Sequence, residues 1–360
     1  MAEGNEATKL QDKARHVRSR YAPWDEAIGA YYAGMRQFWF PVLPSEDLAD
    51  EPVAVELLGE WLALARLEGE AVAFDNLCRH LGAALALGDV VGEGCYLRCS
   101  YHGRSYDKTG RCVDIPARRG ASIPRGAKVR TFPTREIYGL VWVCLDEEPR
   151  HDIPEFDDPE FHREPLLTNP WRASATRVVM ATLDDSHFPW VHPGILGDRD
   201  NPEPPDHRVW REGGYLMSAY DVGQPDYERL ARDGASEPEK SSDDFYKVNY
   251  TNYATPTTIR MVKSGDTGTY TLFFAICPVA HDRTILYGLR ARNFDKDPAN
   301  DREYVDLQIK ITEQDVPIVE SQRPWLLPPL SARMALYVRP ADLPLIEYQK
   351  WLEELGIPQI

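Results

Sequence analysis

The sequence has no long hydrophobic run and few residues that could form covalent cross-links. It contains six cysteines in 360 residues, and no apolar stretch approaches the roughly 20 residues needed to cross a bilayer. The polar N-terminus, MAEGNEATKLQDKARHVRSR, lacks the apolar region of a secretory signal peptide. These absences disfavour a membrane protein and a disulfide-stabilised scaffold, and they predict a cytoplasmic protein with reduced cysteines.

Positive charge and nucleotide-binding motifs are also scarce. Lysine and arginine total 41 against 57 aspartates and glutamates, for a formal net charge of −16. This balance argues against nucleic acid or an anionic membrane as a partner. No GxGxxG fingerprint is present, so any flavin or nicotinamide must be bound by a separate protein. With 43% hydrophobic residues, the chain is long enough to form two domains.

Two pairs of cysteine and histidine are the most informative feature that the sequence does contain. They are Cys78-Arg79-His80 and Cys99-Ser100-Tyr101-His102. Thiolate and imidazole ligands suit either zinc or an iron-sulfur cluster. A zinc finger usually groups its cysteines at one end and its histidines at the other. One cysteine and one histidine in each pair instead fits a Rieske [2Fe-2S] centre, while a structural zinc site stays open as an alternative.

Glycine follows each of these pairs, as Gly82 and Gly103. Glycine is favoured where the backbone turns tightly and its amides come close to ligand sulfurs. We therefore expect two tight loops that carry the four side chains.

A second candidate site lies in LDDSHFPWVHPG, where Asp184, His187 and His192 are closely spaced. His192 is five positions after His187, which places the two histidines about 140° apart on an uninterrupted helix. Pro189 is expected to break or bend that helix and let both imidazoles reach one ion. Two histidines and a carboxylate are typical of non-haem Fe(II) oxygenases. Two structural histidines would fit the pattern equally well.

Asp315 is the candidate for the carboxylate. In DREYVDLQIKITEQDVPIVESQ, the residues Tyr304, Leu307, Ile311, Asp315, Ile318 and Gln322 follow one another at helical spacing. This stripe predicts that Asp315 faces inward, where a carboxylate needs a metal or another partner. A salt-bridged aspartate is the alternative.

The pattern of predicted elements favours an α+β protein with two parts. Short β-type runs fill the chain from about Phe38 to Leu145, and a segment rich in proline and charge follows them. The region from about Trp171 mixes strands with helices. The charged stretch Asp233–Asp244 has the composition of a mobile loop, and we expect it to lie over a pocket.

The motifs CRHLGAALALG, CSYHGRSYDKTGRC and GLVWVCL resemble the Rieske domain of the oxygenase component of Rieske non-haem iron oxygenases. Respiratory Rieske proteins carry two further cysteines that form a disulfide, and Ala83 and Tyr101 stand at those places here. This difference points to the oxygenase branch. Within it, SHFPWVHPGILGDRD resembles the homotrimeric monooxygenase and O- or N-demethylase group, which includes vanillate demethylase and the toluenesulfonate and saxitoxin-type hydroxylases.

The resemblance implies a fold and a set of site residues. It implies an N-terminal helical segment at 1–37 that packs on the catalytic domain, a Rieske domain at 38–147, and a catalytic domain at 148–360 with a helix-grip-like (START/Bet v1-like) fold. The implied cluster ligands are Cys78, His80, Cys99 and His102, and the implied iron ligands are His187, His192 and Asp315. Asp184 corresponds to the carboxylate that links the iron to the Rieske histidine of a neighbouring subunit. Many members have asparagine where this chain has Ala181.

The function implied by the resemblance is that of a terminal oxygenase. It would use O2, and NAD(P)H electrons supplied by a separate flavin/[2Fe-2S] reductase or a ferredoxin, to hydroxylate or demethylate a small organic substrate. A cis-dihydroxylating dioxygenase uses the same metals and is the first alternative. An electron carrier that holds only the Rieske cluster is the second.

Overall fold

The computed structural model describes residues 24–118, 120, 122–156, 158–225 and 245–357. It contains two compact units. One comprises Met35–Glu155 and the short stretch Cys277–Ala280, and the other comprises the rest of the described chain. The predicted mobile loop at Asp233–Asp244 and residues 1–23 of the predicted N-terminal helical segment lie outside the described residues. The remainder of that segment contains helix α1 (Trp24–Met35).

The first unit is built from short antiparallel strands. They are β1 (Trp39–Pro44), β2 (Val53–Leu57), β3 (Glu60–Leu67), β4 (Glu70–Asp75), β5 (Asp89–Val91), β6 (Tyr96–Arg98), β7 (Ser105–Tyr106), β8 (Cys112–Asp114), β9 (Thr131–Phe132), β10 (Thr134–Ile137) and β11 (Leu140–Cys144). They form three sheets, with the orders β1-β11-β10, β2-β3-β4-β9 and β5-β6-β7-β8. All five residues of β11 are buried, which explains why its sequence, LVWVC, is apolar throughout instead of alternating.

The second unit contains a single large antiparallel sheet among its described residues. Its strands are β12 (His162–Arg163), β13 (Leu167–Trp171), β14 (Arg208–Glu212), β15 (Tyr215–Pro225), β16 (Phe245–Ala254), β17 (Thr258–Gly265), β18 (Gly268–Ala280) and β19 (Arg283–Arg292). The order is β12-β19-β18-β17-β16-β15-β14, and β13 also pairs with β19. Side chains of residues paired directly across neighbouring strands point to the same face. Tyr220, Tyr250, Lys263 and Tyr270 are paired in this way across β15 to β18 and form a row on one face of the sheet.

Four further helices complete the described part of this unit. They are α2 (Ala175–Leu183), α3 (Phe188–Val191), α4 (Asp301–Ser321) and α5 (Leu343–Glu354). Ser174 begins α2 by accepting a hydrogen bond from the backbone N–H of Arg177, and acidic residues occupy the first turn of α4, where they complement the helix dipole. Helices and antiparallel sheets together confirm the predicted α+β class. No described helix combines the length and the apolar composition that crossing a membrane requires.

Two local predictions about these helices were wrong. Pro189 does not break a helix, because α2 has already ended at Leu183 and Asp184 has an extended backbone. Pro189 lies instead in the first turn of α3, where its missing N–H is not needed and its fixed φ is helical. On α4, Ile318 was predicted to face inward, but it is 52% exposed and the next residue, Val319, is buried. After Asp315, the buried face of the helix therefore lies one residue later than predicted.

A fully buried charged cluster lies beside this sheet. The carboxylate of Glu164 contacts the guanidinium groups of Arg290 and Arg292 at 2.9 and 2.7 Å, and none of the three side chains is exposed. The hydroxyl of Tyr270 donates to the same carboxylate at 3.0 Å. Buried charges are tolerated only when they are paired and hydrogen-bonded, so each member of this cluster depends on the others.

Removing the shared carboxylate tests this dependence. We expect Glu164→Ala to lower the free energy of unfolding by about 3–5 kcal/mol, because buried Arg290 loses its carboxylate partner and Arg292 keeps only its contact with Asp301. The matched control is Arg302→Ala, which removes an exposed pair with Asp306 on α4 and should leave the stability unchanged. Urea unfolding of both variants measures the difference, and equal stability of the two would contradict the assignment.

Candidate metal centres

The two cysteine-histidine pairs lie on loops with the same hydrogen bonding. In the first loop, the N–H of Gly82 donates to the carbonyl of Cys78 at 2.9 Å, and the N–H of Cys78 donates to the carbonyl of Ala83 at 2.8 Å. In the second loop, Gly103 donates to Cys99 at 3.0 Å and Cys99 donates to Arg104 at 2.9 Å. Both glycines have left-handed backbones, with φ of 75° and 69°. The predicted tight loops are therefore present, and their left-handed backbones favour glycine at both positions.

These loops bring the four predicted side chains together, and the cysteines are less exposed to solvent than the histidines. Cys78 and Cys99 are buried, at 3% and 1% exposure, whereas His80 and His102 are exposed. The Nδ1 atoms of the two histidines are 3.2 Å apart, so both imidazoles direct the same nitrogen to one point. Two buried sulfurs and two outer nitrogens fit a [2Fe-2S] cluster whose histidine-bound iron is nearest to solvent. Ala83 and Tyr101 occupy the two positions at which respiratory Rieske proteins carry their disulfide.

Tyr106 contacts this site and was not identified from the sequence. Its ring is fully buried, and its hydroxyl lies 3.1 Å from Sγ of Cys78. Burial raises the pKa of Tyr106, and the neighbouring thiol raises it further. A protonated phenol beside a ligand thiolate can only donate its hydrogen bond to the sulfur. No pattern in the sequence marks this residue, because the contact joins β7 to a loop 28 positions earlier.

His187, His192 and Asp315 form the second site. Nε2 of His187 is 3.2 Å from Nε2 of His192, and Oδ1 of Asp315 lies 3.5 Å from the first nitrogen and 2.9 Å from the second. These three residues are the group in the described chain whose ligand atoms lie close enough to hold one metal ion. Two imidazoles and one carboxylate on one side of an ion leave positions open, as non-haem Fe(II) oxygenase chemistry requires.

The broken backbone between α2 and α3 positions the two histidines. Asp184 ends α2, and its Oδ1 accepts a hydrogen bond from the N–H of Ser186 at 2.9 Å, which closes a turn. His187 immediately precedes α3 and His192 immediately follows it. Gly197 then packs against the start of α3, where a Cβ atom would lie 2.6 Å from the backbone nitrogen of Pro189. A larger residue at position 197 would therefore clash with the backbone of Phe188 and Pro189, in the segment between the two histidines.

Each histidine is held through the nitrogen that does not face the ion. Nδ1 of His187 lies 3.4 Å from Oδ2 of Asp184, and Nδ1 of His192 lies 2.8 Å from Oε1 of Gln314. Because a carboxylate or an amide oxygen can only accept, both Nδ1 atoms carry the proton. Both Nε2 lone pairs are then directed at the shared point. Gln314 was not identified from the sequence, and its position next to Asp315 is the only hint of its role.

The electrostatic surroundings of His187 are acidic. Burial by itself would lower its pKa, but the hydrogen bond to Asp184 and the nearby carboxylates of Asp315 and Asp185 outweigh burial, and the pKa is raised. This excess of negative charge around two imidazoles is the environment expected of a cation site.

A cavity opens beside these three residues. Tyr270, Phe294 and Tyr304 lie in its wall with ring centroids 6.2 to 6.4 Å apart. Lys263 adds a positively charged side chain to the same wall. Ala181 also lines the cavity, at the position where many members of the family that the sequence resembles have asparagine. A mainly apolar cavity with aromatic walls suits a small planar organic molecule.

Comparison with known proteins agrees with both sites. The model of the Rieske [2Fe-2S] domain matches residues 38–133, and the model of the vanillate O-demethylase oxygenase C-terminal domain matches residues 171–356. The methylxanthine N1-demethylase NdmA of Pseudomonas putida is 33% identical over 89% of this chain and 89% of its own length. The chain belongs to the Rieske non-haem iron oxygenases. It is therefore an oxidoreductase of the demethylase branch, and its cofactors are a [2Fe-2S] cluster and a mononuclear iron.

A solved structure of NdmA and one further relative of this Rieske oxygenase are informative. The structure of NdmA with caffeine superposes with a TM-score of 0.78 at 31% identity, covering 91% of this chain and 92% of the other. The oxidoreductase NdmD of Pseudomonas putida is 42% identical, but only over 33% of this chain and 21% of its own length. The first likeness spans both units, and the second is confined to a part of the chain.

Tyr106→Phe tests the hydrogen bond to the cluster ligand. Donation to the sulfur of Cys78 favours the more negative, reduced cluster, so its loss should lower the reduction potential. A net hydrogen-bond energy of about 0.5–1.5 kcal/mol corresponds to roughly 20–65 mV for one electron. Potentiometric titration of the visible spectrum measures this value, and Tyr96→Phe on β6 is the control. An unchanged or higher potential in Tyr106→Phe would refute the contact.

Gln314→Ala tests the hydrogen bond to His192. We expect the affinity for Fe(II) to fall by about 10- to 100-fold, because His192 loses the acceptor that fixes its tautomer and ring orientation. Glu313→Ala, which changes the exposed neighbour on α4, is the control. Anaerobic competition with a coloured chelator measures the affinity, and equal affinities for both variants would contradict the role of Gln314.

Proposed function

We propose that this oxygenase removes an N- or O-methyl group from, or hydroxylates, a small planar substrate that binds beside the His187, His192 and Asp315 site. The observation that carries this proposal is the cavity itself, whose aromatic wall and candidate iron ligands face the same space. The likeness to NdmA along most of both chains supports N-demethylation in particular.

The roles of the site residues follow from their geometry. We assign Cys78, Cys99, His80 and His102 as the cluster ligands and His187, His192 and Asp315 as the iron ligands. When bound, the two groups supply electron transfer and O2 activation. Asp184 and Gln314 hold the protons on the Nδ1 atoms of the ligand histidines, and the apolar wall excludes water from the reacting methyl group.

Asp184 is also the proposed route for electrons between subunits. Its carboxylate contacts His187, and the exposed positions of His80 and His102 leave the cluster edge available to a neighbouring chain. This arrangement supports a homotrimer in which Asp184 of one chain meets His102 of the next. Light scattering on the purified protein should give three copies per particle, and a monomer with full activity would contradict the route. The reduced cysteines are consistent with a cytoplasmic protein.

The electrons are proposed to come from a separate reductase. The chain contains no dinucleotide fingerprint, and its likeness to a part of the oxidoreductase NdmD supports this proposal. For N-demethylation the balance is one O2, two electrons and two protons per methyl group. The products are the demethylated amine, formaldehyde and one water, because the N–CH2OH group first formed loses formaldehyde.

Reconstitution tests the proposal. The iron-loaded chain, NADH and a flavin/[2Fe-2S] reductase would be supplied with caffeine, theobromine, vanillate and dicamba as probes. The expected result is formaldehyde released in step with O2 and NADH consumption for at least one probe, and none with His187→Ala. Labelled O2 separates the alternatives, since a dihydroxylated product carries both oxygen atoms. An electron carrier would contain two irons per chain instead of three, and His187→Ala would not affect it.

Asp184→Asn tests the electron route. The amide carries no negative charge beside His187, so coupled turnover should fall by about 10- to 100-fold. Both metals should be retained. The control is Asp200→Asn, an exposed acidic residue downstream of His192. Metal analysis and product formation are the measurements, and near-normal turnover by Asp184→Asn would refute its role.

A further inference from the structure

A second acidic residue in the D-D-S-H turn is paired with a buried histidine that the proposed chemistry does not use. Oδ1 of Asp185 lies 3.0 Å from Nε2 of His207. The side chains are 4% and 0% exposed, so solvent does not weaken this contact. Asp184 points to His187, whereas its neighbour Asp185 contacts the residue that immediately precedes β14. Two consecutive carboxylates thus fix one turn from two sides.

The outer atoms of this pair have no hydrogen-bond partner among the described residues. Oδ2 of Asp185 and Nδ1 of His207 are both buried and unsatisfied. Buried polar atoms are rarely left without partners, because each loses its hydrogen bonds to water on folding. A pair of apolar side chains would fill this place without that cost. The arrangement is therefore poorly explained by stability alone.

A packed series connects His207 to the wall of the cavity. The ring of His207 lies 4.4 Å from that of Tyr220, and Tyr220 stacks on Tyr250 at 4.9 Å with an interplanar angle of 6°. Tyr250 lines the cavity, and its hydroxyl donates to Gln224 at 2.8 Å. The side chains of this series are at least nine-tenths buried. These contacting side chains connect the turn that carries Asp184 to the cavity wall that substrate would contact.

We propose that Asp185 and His207 are positioning residues that hold the turn Asp184–His187 in register with the cavity wall, and that electron transfer through Asp184 depends on them. The proposal rests on the proposed function. Electron transfer through Asp184 requires that its carboxylate keep a fixed orientation. The turn that carries it lies between two helices and lacks the regular backbone hydrogen bonds of a helix or sheet, so another contact must restrain it. The contact from Asp185 to His207, just before the start of β14, supplies that restraint.

The test uses the full chain loaded with cluster and Fe(II). His207→Phe keeps a ring against Tyr220 and removes the donor to Asp185, and Asp185→Ala breaks the same contact from the other side. His207→Gln is the conservative variant, because its amide N–H can take the place of the imidazole Nε2–H. The matched control is His162→Phe, which removes another histidine-aspartate contact, 2.8 Å from Asp301, that does not involve this turn.

Three readouts distinguish positioning from general stability. They are the melting temperature, the EPR spectrum of the nitric oxide adduct of Fe(II), and the rate at which O2 reoxidises the chemically reduced cluster in a single turnover with caffeine. We expect His207→Phe and Asp185→Ala to alter the EPR spectrum and to slow reoxidation at least tenfold while retaining both metals. His207→Gln should restore the rate to within about threefold, and His162→Phe should lower only the melting temperature.

Several results would overturn the proposal. Unchanged spectra and rates in His207→Phe, or equal slowing in His162→Phe, would show that the pair contributes only to stability. If one of the two disruptive variants does not fold, the other decides. Failure of the wild-type chain to bind Fe(II) would instead refute the proposed function, and the two failures are therefore distinguishable.

Discussion

The constraint on which the second unit depends is that two imidazoles must direct Nε2 to the same point. Each can do so only if its other nitrogen is held, and Asp184 and Gln314 provide the two acceptors. These acceptors come from different places, one at the end of α2 and one in the middle of α4. The packing of α4 against the turn therefore decides whether an iron site exists at all. Asp315 is next to Gln314 on α4, so the same packing also brings the third candidate ligand to the site.

Much of the remaining structure serves to keep that packing rigid. The short helix α3 fixes the distance between His187 and His192, and Gly197 lets the following loop return against its first turn. The sheet presents a row of large side chains to the cavity. One of them, Tyr270, donates a hydrogen bond from its hydroxyl to Glu164, which is buried with Arg290 and Arg292. A wall held in this way keeps its shape when substrate enters, which favours reaction at one particular group of the substrate.

The extent to which the sequence predicted the sites differs between the two centres. The two cysteine-histidine loops were predictable, because the candidate ligands, glycines and turns lie within a few residues of one another. The role of the four side chains as cluster ligands stays a prediction. Asp315 was also within reach, through the helical stripe on α4, although the stripe itself turns away at Ile318. The break before His187 was misplaced, since proline lowers the helical tendency of a segment but can equally begin a new helix. Tyr106, Gln314 and the Asp185–His207 pair were not predicted as site residues.

The sequence by itself therefore determined the α+β class and the family, and it predicted the two sets of candidate ligands, because these depend on residue types and short spacings. Only the tertiary structure decided which nitrogen of each histidine faces the metal, which phenol donates to Cys78, and which buried residue restrains the D-D-S-H turn. Such contacts join residues up to 122 positions apart. They depend on how elements pack against one another, and no local pattern of residues specifies that packing.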